Sequence, residues 1–75
     1  MRFKIQVPTG RPADGNLVTV IATAPYATSA LAFALVQTGS QYNIRQFHQE
    51  PSQGIGYKFV LESDNRVCAY VTNYE

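Results

Sequence analysis

Residues 25–39, PYATSALAFALVQTG, decide how the rest of the chain must be arranged. They contain no charged side chain. Pro25 suits a first helical position, because the N–H it lacks would have no partner there. It also drives Ala24 out of the α region, which makes Ala24 the capping position, with the Thr23 hydroxyl close by. The body is rich in alanine and leucine, the strongest helix formers. Gly39 can take the left-handed conformation that closes a helix. The stretch is therefore predicted as a helix, the only one in the chain.

At about 100° per residue, Ala27, Ala30 and Ala34 fall on one line. Leu31 and Leu35 flank that line on one side, Tyr26 and Phe33 on the other. A strip of methyl groups between larger side chains lets a helix lie close on a sheet. The outward face is then Thr28, Ser29, Ala32 and Val36. A helix with so little contrast between its faces is usually covered on more than one side. These four residues are candidates for contact with another protein chain. Leu17 to Val36 is also uncharged over about twenty residues, long enough to span a membrane. Pro25 in the middle, the Ser and Thr residues and strand-like Leu17–Ala22 favour a strand followed by a helix instead.

Working outward, Arg2 to Val7 alternates, with Phe3, Ile5 and Val7 on one face and Arg2, Lys4 and Gln6 on the other. That is the pattern of a half-buried strand. Residues 8–16, PTGRPADGN, are dense in turn formers and read as a loop. Leu17 to Thr23 is apolar on both faces, so it is expected to be central in the sheet or covered from outside. After the helix, Tyr42 to His48 reads as a third strand whose alternation slips; a bulge near Arg45–Gln46 would restore it. Residues 49–56 form a second loop. Tyr57 to Glu62 is the fourth strand, with Tyr57, Phe59 and Leu61 inward. Ser63-Asp64-Asn65 is a tight turn in which Asp64 bonds the backbone. Arg66 to Tyr74 is the fifth strand, with Val67, Ala69 and Val71 on one face and Cys68, Tyr70, Thr72 and Tyr74 on the other.

The expected fold is α+β, a single domain over residues 1–75 in the order ββαβββ. It has a five-stranded, mainly antiparallel sheet with one helix on one face. Short connections favour the spatial order 2-1-3-4-5. A helix about 10 Å wide cannot cover five strands spanning about 20 Å, so loops or another chain must cap the remainder. The alternative is a β-grasp-like arrangement, with the last strand parallel to the first, although the chain ends NYE and not in a diglycine.

Seventy-five residues bury only a modest core. Oligomerisation is one way to stabilise so small a scaffold. Charged residues make up 15%, against about 25% in typical soluble domains, which favours association. The net charge of +1 gives no general pull toward nucleic acid or anionic membrane. The N-terminus lacks the apolar core of a signal peptide, and a single free cysteine fits a reducing cytoplasm. No cofactor is implied, and one Cys with one His is too few for a structural zinc site.

Chemistry-bearing constellations are sparse. His48 and Cys68 are the only nucleophile–base candidates, and no third group is evident to orient them. The sequence holds no carboxylate pair, phosphate-cradling loop or metal spacing, so no enzyme is expected. The open sheet face should show Arg2, Lys4, Arg45 and Lys58 beside Tyr70 and Tyr74, a basic and aromatic mixture that single-stranded nucleic acid can use. Tyr70 and Tyr74 equally suit a protein contact, where tyrosine is enriched. The last strand, were it an edge, could pair with its own copy. The two long loops offer Arg11 and His48 or Gln49 as further binding candidates.

The leading expectation is a non-enzymatic module that binds protein, either its own copy (a homodimer or larger assembly) or a larger protein that it could inhibit. Its contact residues would be Thr28, Ser29, Ala32, Val36, Tyr70 and Tyr74. The alternative is single-stranded nucleic-acid binding through Arg2, Lys4, Arg45 and Lys58.

Overall fold

The computed structural model describes residues 1–8, 17–51 and 56–74. Two strands come first, β1 (Arg2–Pro8) and β2 (Leu17–Thr23). The helix α1 (Ala27–Gln37) and a short 3-10 turn (Ile44–Gln46) follow. Then come β3 (Phe47–Glu50), β4 (Gly56–Leu61) and β5 (Cys68–Asn73). The fold is α+β, with the expected ββαβββ order, one five-stranded antiparallel sheet and one helix. Arg11 and the remaining loop residues 9–16 and 52–55 lie outside the described residues.

The strand order is β2-β1-β5-β4-β3. The expected order 2-1-3-4-5 is therefore corrected: the β3–β5 meander docks on β1 through its last strand. Strand directions are the same in both arrangements. β5 runs antiparallel to β1, which excludes the β-grasp alternative. β5 is also the central strand, not an edge, so it offers no free ladder to a copy of itself. The edges are β2 and β3.

One side of the sheet carries the core. Phe3, Ile5 and Val7 of β1, Phe47, Phe59 and Leu61 of β3 and β4, and Ala69 and Val71 of β5 are buried with Ala30, Leu31, Ala34 and Leu35 of α1. α1 lies over β1 and touches β2 and β5. An isolated helix of this length is marginal in water, so this packing holds it in shape. The side over β3 and β4 is capped by the segment after α1, where Tyr42 and Ile44 pack on the core and Tyr42 meets Phe47 edge-to-face at 6.0 Å. That segment supplies part of the cover that a single helix cannot, but Tyr57, expected to face inward, is 38% exposed.

Both helix ends follow from local chemistry. The helix starts two residues later than Pro25: Tyr26 is the N-cap, in extended conformation and without a side-chain capping bond. Pro25 precedes the cap, so neither Ala24 nor Thr23 holds that position. At the other end Gly39 has φ +67°, Ser40 N–H bonds Leu35 O at 3.0 Å and Gly39 N–H bonds Val36 O at 3.1 Å. That pair of bonds is a Schellman closure, and it satisfies carbonyls that would otherwise be unpartnered.

The slip after Tyr42 is a 3-10 turn rather than a bulge. Asn43 Oδ1 accepts from Arg45 N–H at 3.0 Å, and Gln46 Oε1 accepts from Asn43 N–H at 2.8 Å. This reciprocal cap makes a turn more favourable than an extended strand. β3 consequently begins only at Phe47.

The turn between β4 and β5 behaves as expected. Asp64 accepts from the backbone N–H of Arg66 at 3.0 Å and from its guanidinium at 3.1 and 3.2 Å. These bonds hold the Asp64 carboxyl below the usual carboxylate range, the side-chain bond to Arg66 being the larger cause. A depressed pKa contributes stability above the unfolded value, and that contribution is lost as pH falls through the folded value. Arg66→Gln should therefore move the Asp64 titration midpoint upward, read by NMR of its side-chain carbon. An unmoved midpoint would show that the guanidinium does not hold the carboxylate.

Candidate interaction surface

The helix surface away from the sheet carries no charge. Thr28 is exposed, and Ser29 is half-buried with its hydroxyl bonded to Tyr26 O at 3.2 Å. Ala32 is half-buried, and Val36 is 83% exposed. These are the four outward residues expected from helical spacing. Two further residues join them. Phe33 is 52% and Tyr26 70% exposed, whereas both were expected to flank the buried stripe. The buried stripe is shifted toward Leu31 and Leu35, and Phe33 sits on the flank opposite Leu35.

β2 forms one margin of the sheet. Its apolar residues lie on both faces, which suggested a central or covered strand. It is an edge, as the order 2-1-3-4-5 also had it: α1 touches it and Val20 and Ala22 pack against the core, but among the described residues no strand pairs with its outer side. Leu17 and Ile21 on the open face, and Val18 on the helix face, are all exposed at 37–44%. Its pairing to β1 is continuous from Leu17 to Thr23, without a bulge. Natural edges are normally guarded by charge, proline, a bulge or shortness, and β2 has none of these. The opposite edge, β3, spans only Phe47–Glu50 and carries His48 and Glu50.

The far face of the sheet is mixed. In register across it run Thr19, Gln6, Tyr70, Lys58 and Glu50, one residue from each strand. Lys4 stands between Ile21 and Thr72. The Arg2 guanidinium lies over the Tyr74 ring at 5.2 Å. The structure thus gathers Arg2, Lys4, Lys58, Tyr70 and Tyr74 on one face, but places Arg45 on the 3-10 turn, away from the strands. It also separates Tyr70 and Tyr74 from Thr28, Ser29, Ala32 and Val36, because the sheet stands between the two groups. The cations do not stand alone: Glu50 faces Lys58, and His48 lies 3.4 Å from Glu50 and 4.0 Å from Glu62.

Val60 stands between His48 and Cys68 in register, which puts those two residues about 10 Å apart across two strand spacings. The Cys68 thiol donates to Asn65 O at 3.7 Å. Among the described residues, no three His, Cys, Asp or Glu side chains are grouped to hold a metal ion. No described helix is long and apolar enough to cross a membrane. Searches of protein-family models, curated proteins and solved structures give no significant match to this chain.

Proposed function

We propose that this protein is a non-enzymatic binding module whose partner is another protein chain. Two neutral surfaces offer the contact: the open edge of β2 and, on the side of α1 away from the sheet, its outward face. The observation that carries this reading is the unguarded edge: seven residues of uninterrupted ladder, apolar on both faces, with no charge to repel a second strand. Backbone bonds along such an edge supply affinity, and the neighbouring side chains supply selectivity. Val36, Phe33 and Tyr26 add exposed apolar surface on α1. Such a module can serve as a subunit of an assembly or as a blocker of a larger protein. A reducing cytoplasm suits its single free cysteine.

Val36→Glu tests this surface. Val36 is already in water, so the variant should fold with unchanged stability. A charge placed in a desolvated contact costs enough to weaken binding by about 30-fold or more. The measurement is sedimentation velocity together with affinity capture from the native cell, on wild type and variant. An unchanged oligomeric state and an unchanged set of captured proteins would remove α1 from the contact.

Single-stranded nucleic acid finds less support on the far face. Arg2 already occupies one side of the Tyr74 ring, and Glu50 faces Lys58. Lys4 and the rest of that basic set would still give a salt-dependent affinity for oligonucleotides if the face served that purpose.

A further inference from the structure

We infer that the occupant of the β2 edge is a second copy of this chain, paired antiparallel about a two-fold axis at Val20. The two sheets then join into one of ten strands. This rests on the reading of the neutral margin as a protein contact, and adds the partner and the register.

The register follows from the hydrogen-bond alternation. Met1 and Ala24 exchange both backbone bonds, at 3.2 and 2.9 Å. In an antiparallel ladder the bonded pairs recur every second residue. The backbone groups of Val18, Val20 and Ala22 therefore point to β1, and those of Leu17, Thr19, Ile21 and Thr23 point outward. A copy can bond only where its outward groups meet outward groups. Centring the axis at Val20 sets Leu17 against Thr23 and Thr19 against Ile21 of the second copy. That uses the whole edge and forms up to about eight N–H···O bonds. The facing pairs are apolar against threonine, with no charge opposite a charge.

Charge and shape select the same occupant. Among the described residues the nearest cationic side chains, Lys4 and Arg2, lie one strand in. Across the joint sheet, β1 is three strand spacings from its copy, about 14 Å, beyond the Debye length of about 8 Å at physiological salt. Pairing of β2 with β3 of another copy is disfavoured, because β3 is short and carries His48 and Glu50. It would also run on as an open filament rather than close. A standard interface covers about 800 Å² of each partner, about a sixth of the 4990 Å² surface here. The two-fold leaves both helices on one face of the joint sheet. The helices, each over its own β1, then stand about 14 Å apart, farther than the 8–10 Å of direct helix contact. Val18, Val20 and Ala22 of both copies floor the space between them, which adds area beyond the strand edges.

The experiment is sedimentation equilibrium on the whole chain up to hundreds of micromolar, joined to a cysteine cross-link in a Cys68→Ser background. The expected result is a dimer that Ile21→Lys weakens by about 30-fold or more. Val20→Cys should form a disulfide with its copy, because facing residues of a non-bonded pair have Cα atoms about 4.5 Å apart. Thr19→Cys should not, since its copy lies two residues out of register. Amide exchange on the unaltered chain needs no variant: Thr19, Ile21 and Thr23 amides should gain protection as concentration rises. A monomer at every concentration, or a dimer without the Val20→Cys cross-link and without that protection, overturns the pairing. A dimer that resists Ile21→Lys but dissociates with Val36→Glu overturns it too, and leaves the protein-contact reading standing on α1.

Discussion

Val71→Asp should leave little folded protein at neutral pH. Val71 is fully buried in β5, with Ile5 and Tyr57 as its neighbours in register and α1 above the sheet. A carboxylate there is shut off from solvent, with no buried charged side chain among the described residues to pair with it. Burying an ion costs several kcal/mol even after relaxation. A domain of this length has a total stability of roughly 4–11 kcal/mol at ~0.05–0.15 kcal/mol per residue. The new carboxyl would have a pKa raised above its unfolded value of about 3.9. Its penalty is therefore small below that value and grows as pH rises through it, so the variant should recover toward wild type near pH 3. Thermal unfolding by circular dichroism at acid and neutral pH measures this. Tyr70→Asp is the control, one residue away on the same strand but on the open face and 37% exposed. Equal loss in the two variants would contradict the placement of β5 in the middle of the sheet. With β5 at the edge, as the order 2-1-3-4-5 has it, Val71 would lose one flanking strand and the substitution would be far milder.

Leu31→Ala should lower the melting temperature by roughly 8–40 °C, from a loss of about 2–5 kcal/mol and about 4–8 °C per kcal/mol in a domain of this size. Leu31 is wholly buried between α1 and the sheet. Alanine is the better helix former, so local propensity alone would predict a slight gain. A large loss thus shows that α1 is held by packing and not by its own helicity. Val36→Ala, on the exposed side of the same helix, should change stability by no more than about 0.5 kcal/mol. A comparable shift in both variants would mean that the buried and outward faces are wrongly assigned.

Much of the outward helix face was legible from residue spacing, because 3.6-residue periodicity places Thr28, Ser29, Ala32 and Val36 together whatever lies beneath. Phe33 was not, since periodicity puts it at the boundary of the buried stripe and packing decides which side of a boundary is covered. β2 is apolar on both faces, the same signal that a buried strand gives; the order 2-1-3-4-5 already set it at the margin, and the structure keeps it there, which excludes the central placement. The 3-10 turn could have been found: Asn43 followed three residues later by Gln46 is a capping-box spacing.

Alternation, turn residues and the glycine stop determined by themselves most of the elements and their order, because these depend on local backbone preferences. They could not choose which end of the β3–β5 meander docks on β1, since either choice keeps every neighbour antiparallel. Tertiary packing decided it. β5 presents Ala69 and Val71 to the core and needs ladders on both sides, whereas β3 is four residues long and turns Gln49 to the same side as Phe47. The strand with the small apolar face went to the centre, and the short polar one took the rim. β2 is the opposite, unguarded edge in either arrangement.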